Sequence, residues 1–266
     1  MKRLNKNTRY QPRKGFTLVE LLVVITIIAV LAGLTTVGVT RFKEKTNETT
    51  SMSNMRQLGA ALATYTVEKG RYPSSAATAS TGERGVSWDR LLFPYLSDPN
   101  YDYNSNGVSP IRQNSEEYKV LGSVAKIFYS DSDKLQKATG GLINRSYALT
   151  PWTTNQSGPG FSNGWSSLPP NIGVRPSIIK DPNKAVVMVE FFSPARGAPN
   201  LLGTGSYDYI FGFRPLPQDP NPAYYHKNNQ VVLFVNGSVQ LIPGNITMSE
   251  WELSGYSPHK ESANSR

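Results

Sequence analysis

The 266-residue chain contains no cysteine. That excludes disulfides, thiolate metal sites and a cysteine nucleophile, so the fold must rest on its apolar core. Histidine is limited to His226 and His259, which leaves little imidazole for acid–base or metal chemistry. There is no proline between Pro12 and Pro73, whereas 18 of the 19 prolines lie from Pro73 onward. The first region is free to form one long helix, and the second cannot be mostly helical. Acidic residues are missing from residues 1–15, and no charge of either sign occurs in residues 21–40.

That uncharged stretch is strongly apolar. Twenty helical residues rise about 30 Å, the thickness of a bilayer's hydrocarbon core, so residues of about 18–40 are expected to cross a membrane. Just inside its start stands Glu20, a carboxylate whose insertion into lipid costs about 2.5–3.5 kcal/mol at mid-bilayer and less near an interface. Something must compensate it. Lys2, Arg3, Lys6, Arg9, Arg13 and Lys14 precede the stretch, and by the positive-inside rule they keep the N-terminus cytoplasmic and export the rest. A secretory signal peptide fits poorly. Its small-residue cleavage site follows an apolar core of only about 7–15 residues, whereas here Gly15 precedes a longer one. The same six residues dominate the net charge. The chain carries +9, but beyond residue 15 there are 22 basic against 19 acidic residues, or +3. The basic balance is a targeting device, and no nucleic-acid partner is expected.

Lys14-Gly15-Phe16-Thr17-Leu18-Val19-Glu20-Leu21-Leu22 resembles the N-terminal segment of type IV prepilins and type II secretion pseudopilins. The resemblance implies an α+β, pilin-like fold: a long N-terminal helix packed on a loop-rich antiparallel β domain. It implies cleavage between Gly15 and Phe16 by a prepilin peptidase, methylation of the new Phe16 amine, and polymerisation through the apolar helix. In that family Glu20 meets the Phe16 amine of a neighbouring subunit. A cation and a carboxylate, each costly alone in lipid, become tolerable as a pair. The implied partners are the peptidase/methyltransferase, other pilin or pseudopilin subunits, and a bacterial inner membrane with the C-terminal domain on its periplasmic or extracellular side. No cofactor is expected. The same anchor also suits a second role, a surface-binding module for a glycan or secreted cargo.

The expected organisation is a leader (1–15), a long helix (16–70), an exported β-rich domain (71–256) and a frayed tail (257–266). Arg41, Lys43, Glu44 and Lys45 mark the end of the apolar segment, after which Met52, Met55, Leu58, Leu62 and Tyr65 fall on one helical face. That stripe is read as the contact with the globular domain. Gly33, Gly38 and Gly59 either permit close packing or mark weak points, Gly38 being the candidate for a bend. Gly70-Arg71-Tyr72-Pro73 stops the helix and is similar to a Gly-x-Tyr-Pro exit seen in pseudopilins. Residues 74–86 read as a connector and 87–96 as a short helix stopping near Pro94, with Trp88, Leu91, Leu92 and Leu96 inward. Strands are expected at 126–130, 146–150, 185–192, 207–213, 230–235 and 238–242. Asn236-Gly237 between the last two predicts a two-residue type I′ hairpin.

Three constellations are candidates for chemistry. His226, ten positions before Asn236-Gly237, resembles the His-x9-Asp-Gly signature of prepilin-type proteins with a β-rich C-terminal domain, with Asn236 replacing the aspartate. Bracing a hairpin is the plainer role, and ligand or subunit binding the alternative. Asp102-Tyr103-Asn104-Ser105-Asn106-Gly107 matches the first half of a calcium loop, but Gln113 stands where a bidentate glutamate belongs. An Asn-rich turn is the simpler reading, and no metal ligand is assigned. Asp131-Ser132-Asp133 and Glu190 supply carboxylates for acid–base work, yet isolated carboxylates in turns are common and no phosphate loop or His-Glu-x-x-His pattern accompanies them. The chain is not expected to be an enzyme.

Overall fold

The computed structural model describes residues 15–73, 86–103, 109–133, 140–149, 175–179, 181–190, 201–202, 226 and 229–243. The expected connector, the strand at 207–213, the tail with His259, most of the Asp102–Gly107 loop and all of the leader except Gly15 lie outside them. The chain forms two units, Met1–Lys45 and Thr46–Arg266. Helix α1, Leu18–Lys69, contributes to both.

In the first unit the described side chains of α1 are exposed all round, including Leu18, Val19, Ile28 and Leu31. Among the described residues no helix is long and apolar enough to cross a membrane, and the side chains of 34–38 lie outside the described set. The helix runs without interruption through Gly33 and Gly38, so Gly38 does not break it.

In the second unit α1 turns one face inward. Met55, Leu58, Leu62 and Tyr65 are fully buried, with Met52 packed against the same cluster, as the three-and-four spacing predicts. Gly70, at φ +69°, then ends the helix, a left-handed geometry that suits glycine. They meet a four-stranded antiparallel sheet in chain order: β1 (Tyr147–Leu149), β2 (Val186–Glu190), β3 (Asn229–Phe234) and β4 (Val239–Pro243). In β3, Val231 and Leu233 join the α1 cluster while Val232 and Phe234 form a second one with Val186, Val189 and Ile242, the period-two alternation of a sheet buried on both faces. A register shift between Val186 and Met188 lets both Val187 and Met188 reach the α1 side. Gly59 has a packing role: a Cβ there would sit 2.9 Å from Leu233 Cδ1. A side chain there would have to push the end of Leu233 aside.

Three expectations need correction. Residues 126–130 are not a strand, because a 3-10 helix covers Gly122–Phe128. Its Ala125 and Phe128 are buried three apart, a spacing that a short apolar run hides when it is scored only for β-propensity. Just before it lies α3, Glu116–Leu121, which was not expected. Ser115 Oγ caps this helix by accepting from the Tyr118 N–H, and Gly122 at φ +53° lets the chain turn out of it. Second, α2 (Trp88–Leu96) continues through Pro94. Proline forfeits one bond to the preceding turn, but the Ser97 N–H closes the end on the Phe93 carbonyl at 2.8 Å. Third, the β3–β4 turn is not a two-residue type I′. The Gly237 N–H donates to the Phe234 carbonyl and the Phe234 N–H to the Ser238 carbonyl, both at 2.9 Å. With Gly237 at φ +84°, this is a three-residue loop closed by a glycine bulge, which the Asn-Gly pair serves equally well.

The side of α2 facing α3 and β1 holds charge. Arg90 donates to Glu117 through Nε at 2.6 Å and Nη2 at 2.9 Å, and Arg145 Nη1 donates to Asp89 at 2.8 Å. All four side chains are buried. Asp89 also accepts from Ser87 Oγ, and the Arg145 guanidinium lies 4.9 Å from the Trp88 ring centre. Removing one partner strands the other in low dielectric. Asp89→Ala should therefore lower the unfolding free energy by about 3–5 kcal/mol, measured by urea denaturation of the detergent-solubilised chain. Pairing it with Arg145→Leu should recover part of that loss, and equal losses in the single and double variants would contradict the pairing.

Tyr72, where the chain leaves α1, is buried, and burial pushes its phenol up to about 12 from an ordinary 10. Tyr147 is raised by burial too, with the Glu190 charge adding to the effect. A raised folded-state value favours the protonated fold. The stabilisation is full below pH 10 and falls as pH rises from 10 through about 12. Alkaline titration of circular dichroism should show stability declining across that window, and Tyr72→Phe should flatten the decline.

Candidate functional site: the N-terminal helix start and a buried histidine bracket

Thr17 is the last residue before α1. Its Oγ1 accepts from the Glu20 N–H at 3.2 Å, while Glu20 Oε2 accepts from the Thr17 N–H and the Thr17 hydroxyl, each at 2.8 Å. Thr17-x-x-Glu20 is thus a capping box, which satisfies orphan donors at both positions. In a single chain, then, the Glu20 carboxylate rests on its own helix start. Phe16 is 77% exposed beside it, and Gly15 has an ordinary backbone with nothing within 4 Å of where a Cβ would lie. Nothing among the described residues requires glycine at position 15. The three residues expected to carry processing and assembly lie together at the exposed start of α1, where the described apolar side chains between Leu18 and Leu31 are also exposed in the single chain.

The C-terminal residues are used differently. His226 is buried, its Nε2 3.1 Å from Glu190 Oε1 and its Nδ1 3.1 Å from Ser132 Oγ. Glu190 Oε2 also accepts from the Val231 N–H at 3.0 Å, and the Glu190 carbonyl accepts from Gln230 Nε2 at 2.6 Å. The carboxylate at Nε2 and the hydroxyl at Nδ1 together give each ring nitrogen of His226 a hydrogen-bonding partner. The bracket continues toward α1, where Ser51 Oγ meets Ser130 Oγ at 2.7 Å and Asn54 Nδ2 donates to the Tyr129 carbonyl at 3.2 Å. Asn236 has separate partners: its Oδ1 accepts from the Ser238 N–H and its Nδ2 donates to Asn183, both at 2.9 Å. His226 and Asn236-Gly237 therefore brace the fold at two places, the histidine at the β2–β3 start and the asparagine at the turn.

The carboxylates considered for acid–base work serve this framework. Glu190 is consumed by His226 and the β3 backbone, and Asp133 accepts from Ser146 Oγ at 2.8 Å. Gly160-Phe161-Ser162-Asn163-Gly164 has the spacing of a hydrolase nucleophile turn but lies outside the described residues. Among the described residues no three metal-ligating side chains converge. Just upstream of the calcium-like Asp102–Gly107 stretch, Asp98 Oδ1 accepts from the Asn100 N–H at 2.9 Å and Nδ2 at 3.2 Å, and 104–108 lie outside the described set. Sequence reasoning missed the Thr17 cap, although Thr-x-x-Glu before an apolar run is its signature. It also missed the buried Asp89, Arg90, Glu117 and Arg145, which carry no local signal.

The prokaryotic N-terminal methylation motif matches residues 11–36. The helix and antiparallel sheet that follow this motif are consistent with an α+β, pilin-like fold. The chain is 25% identical over 219 residues to the type IV major pilin protein PilA of Myxococcus xanthus, covering 77% of this chain and 83% of that protein. It is 40% identical over 63 residues to the type II secretion system core protein G of Pectobacterium carotovorum subsp. carotovorum. The same protein of Klebsiella pneumoniae is 38% identical over 65 residues. The chain spans 40% and 46% of the length of those two secretion proteins. No solved structure matches the chain.

Proposed function

We propose that this chain is made as a membrane-anchored precursor, trimmed between Gly15 and Phe16, methylated on the Phe16 amine and polymerised as a structural subunit of a pilus or secretion filament. The observation that carries this reading is the exposed Gly15-Phe16-Thr17 tip leading into an apolar helix within the methylation motif. Residues 18–40 hold the chain in an inner membrane, with the leader cytoplasmic and the sheet domain exported, as the six leader cations direct. On assembly Glu20 exchanges part of its contact with Thr17 for the amine of the next copy, and the apolar helices cover one another. Sheared surface filaments tested with an antibody to the sheet domain should contain the chain as an abundant component. Its absence from filaments while present in the membrane would favour an anchored binding module instead.

A further inference from the structure

We infer that Arg41, Phe42, Lys43 and Lys45 form a ring around α1 that seats on anionic phospholipid headgroups at the exported face of the membrane. The inference rests on the proposed span of residues 18–40 and adds to it a partner and a position. At 100° per residue, Arg41 and Lys45 lie within about 40° of each other and Lys43 about 200° from Arg41, on the opposite side. A protein partner docks on one face, whereas lipid surrounds a helix, so cations on opposite sides suit lipid. The four side chains are exposed, Phe42 to 75%, and Val39 just before them to 64%. Residues 41–45 carry three basic residues and one acid, Glu44, which leaves a net positive band.

Length agrees. The uncharged residues 21–40 rise about 30 Å, and 41–45 about 7.5 Å more. A bilayer of about 40–45 Å with a core of about 30 Å leaves some 5–7 Å of headgroup layer on each side. With Thr40 at the core's edge, the ring fills that layer. The apolar Phe42 ring lies against the core's edge and the long basic side chains reach the phosphates. Removal of the leader takes away all six cytoplasmic cations, so in the mature chain this ring becomes the main electrostatic hold on the bilayer.

Because the chain lacks cysteine, the full-length protein accepts one spin label at a time. Ile28→Cys and Val39→Cys are placed in vesicles of phosphatidylcholine, with or without phosphatidylglycerol, and label depth is read by accessibility to a water-soluble nickel chelate. The label at 28 should sit at mid-bilayer in both vesicles. Accessibility at 39 should fall about two-fold when the anionic lipid is present. That change should vanish with Arg41→Gln/Lys43→Gln/Lys45→Gln, and in about 1 M salt, where the screening length is about 3 Å. A central label at 28 with no lipid-charge effect at 39 would overturn the ring but leave the span. A water-exposed label at 28 would overturn both. A change at 39 that follows protein density and not lipid charge would also overturn the ring, assigning these cations to a second copy of the chain.

Discussion

Replacing Glu20 with alanine should leave the chain inserted and trimmed but reduce its entry into filaments by about 100- to 4,000-fold. The magnitude follows from the proposed pairing of Glu20 with the Phe16 amine of the next copy. Truncating one member of a buried ion pair strands the other at about 3–5 kcal/mol, and each 1.4 kcal/mol is tenfold in an equilibrium. The structure adds a complication that a second variant resolves. Glu20 also accepts from Thr17 at 2.8 Å, so alanine removes one half of the capping box as well. Glu20→Gln keeps an oxygen for the Thr17 N–H but no charge. If charge pairing drives assembly, glutamine should assemble almost as poorly as alanine. If the cap is what matters, glutamine should restore filaments to near the wild-type level. Sheared-filament yield, normalised to the membrane-bound chain, separates these outcomes.

Replacing Gly15 with leucine should abolish trimming, leaving only the longer precursor and no filaments. A loss of processing is informative here because nothing among the described residues requires glycine at position 15. No atom lies within 4 Å of a Cβ built there, and the backbone is not left-handed. Leucine should therefore leave the thermal unfolding midpoint of the purified chain unchanged, and the defect then belongs to recognition by the peptidase. Wild-type trimming of Gly15→Leu would remove the cleavage site from its assigned place.

Much of the architecture can be read from short-range pattern. The Met55, Leu58, Leu62 and Tyr65 stripe lies where its spacing puts it, against the sheet. β1 to β4 fall within a residue or two of their β-branched runs, since alternation and turn signals act over few residues. What local pattern misjudges is the choice between two ways of burying the same side chains. Residues 126–130 satisfy a strand by composition, yet Ala125 and Phe128 bury themselves in a 3-10 helix. Buried charge is harder still. Asp89 and Arg145 are 56 residues apart, and Arg90 and Glu117 are 27 apart. Each alone reads as a surface residue, and only the tertiary fold makes the pairs. The N-terminal site was legible because its residues are consecutive. Glu20 was read there for its cost in lipid, which hid its second role as half of a capping box. The His226 bracket shows the reverse. Its spacing to Asn236-Gly237 was visible, but its partners Ser132 and Glu190 come from distant turns and strands.

The central claim is that this chain becomes a filament subunit by acquiring a new, modified end at Phe16. Mass spectrometry of the N-terminal peptide, taken from the chain recovered in sheared filaments, tests it most directly. The account predicts a peptide that begins at Phe16 and is heavier by one methyl group on its amine. A filament-borne chain still carrying residues 1–15, or one beginning at any other residue, would contradict it.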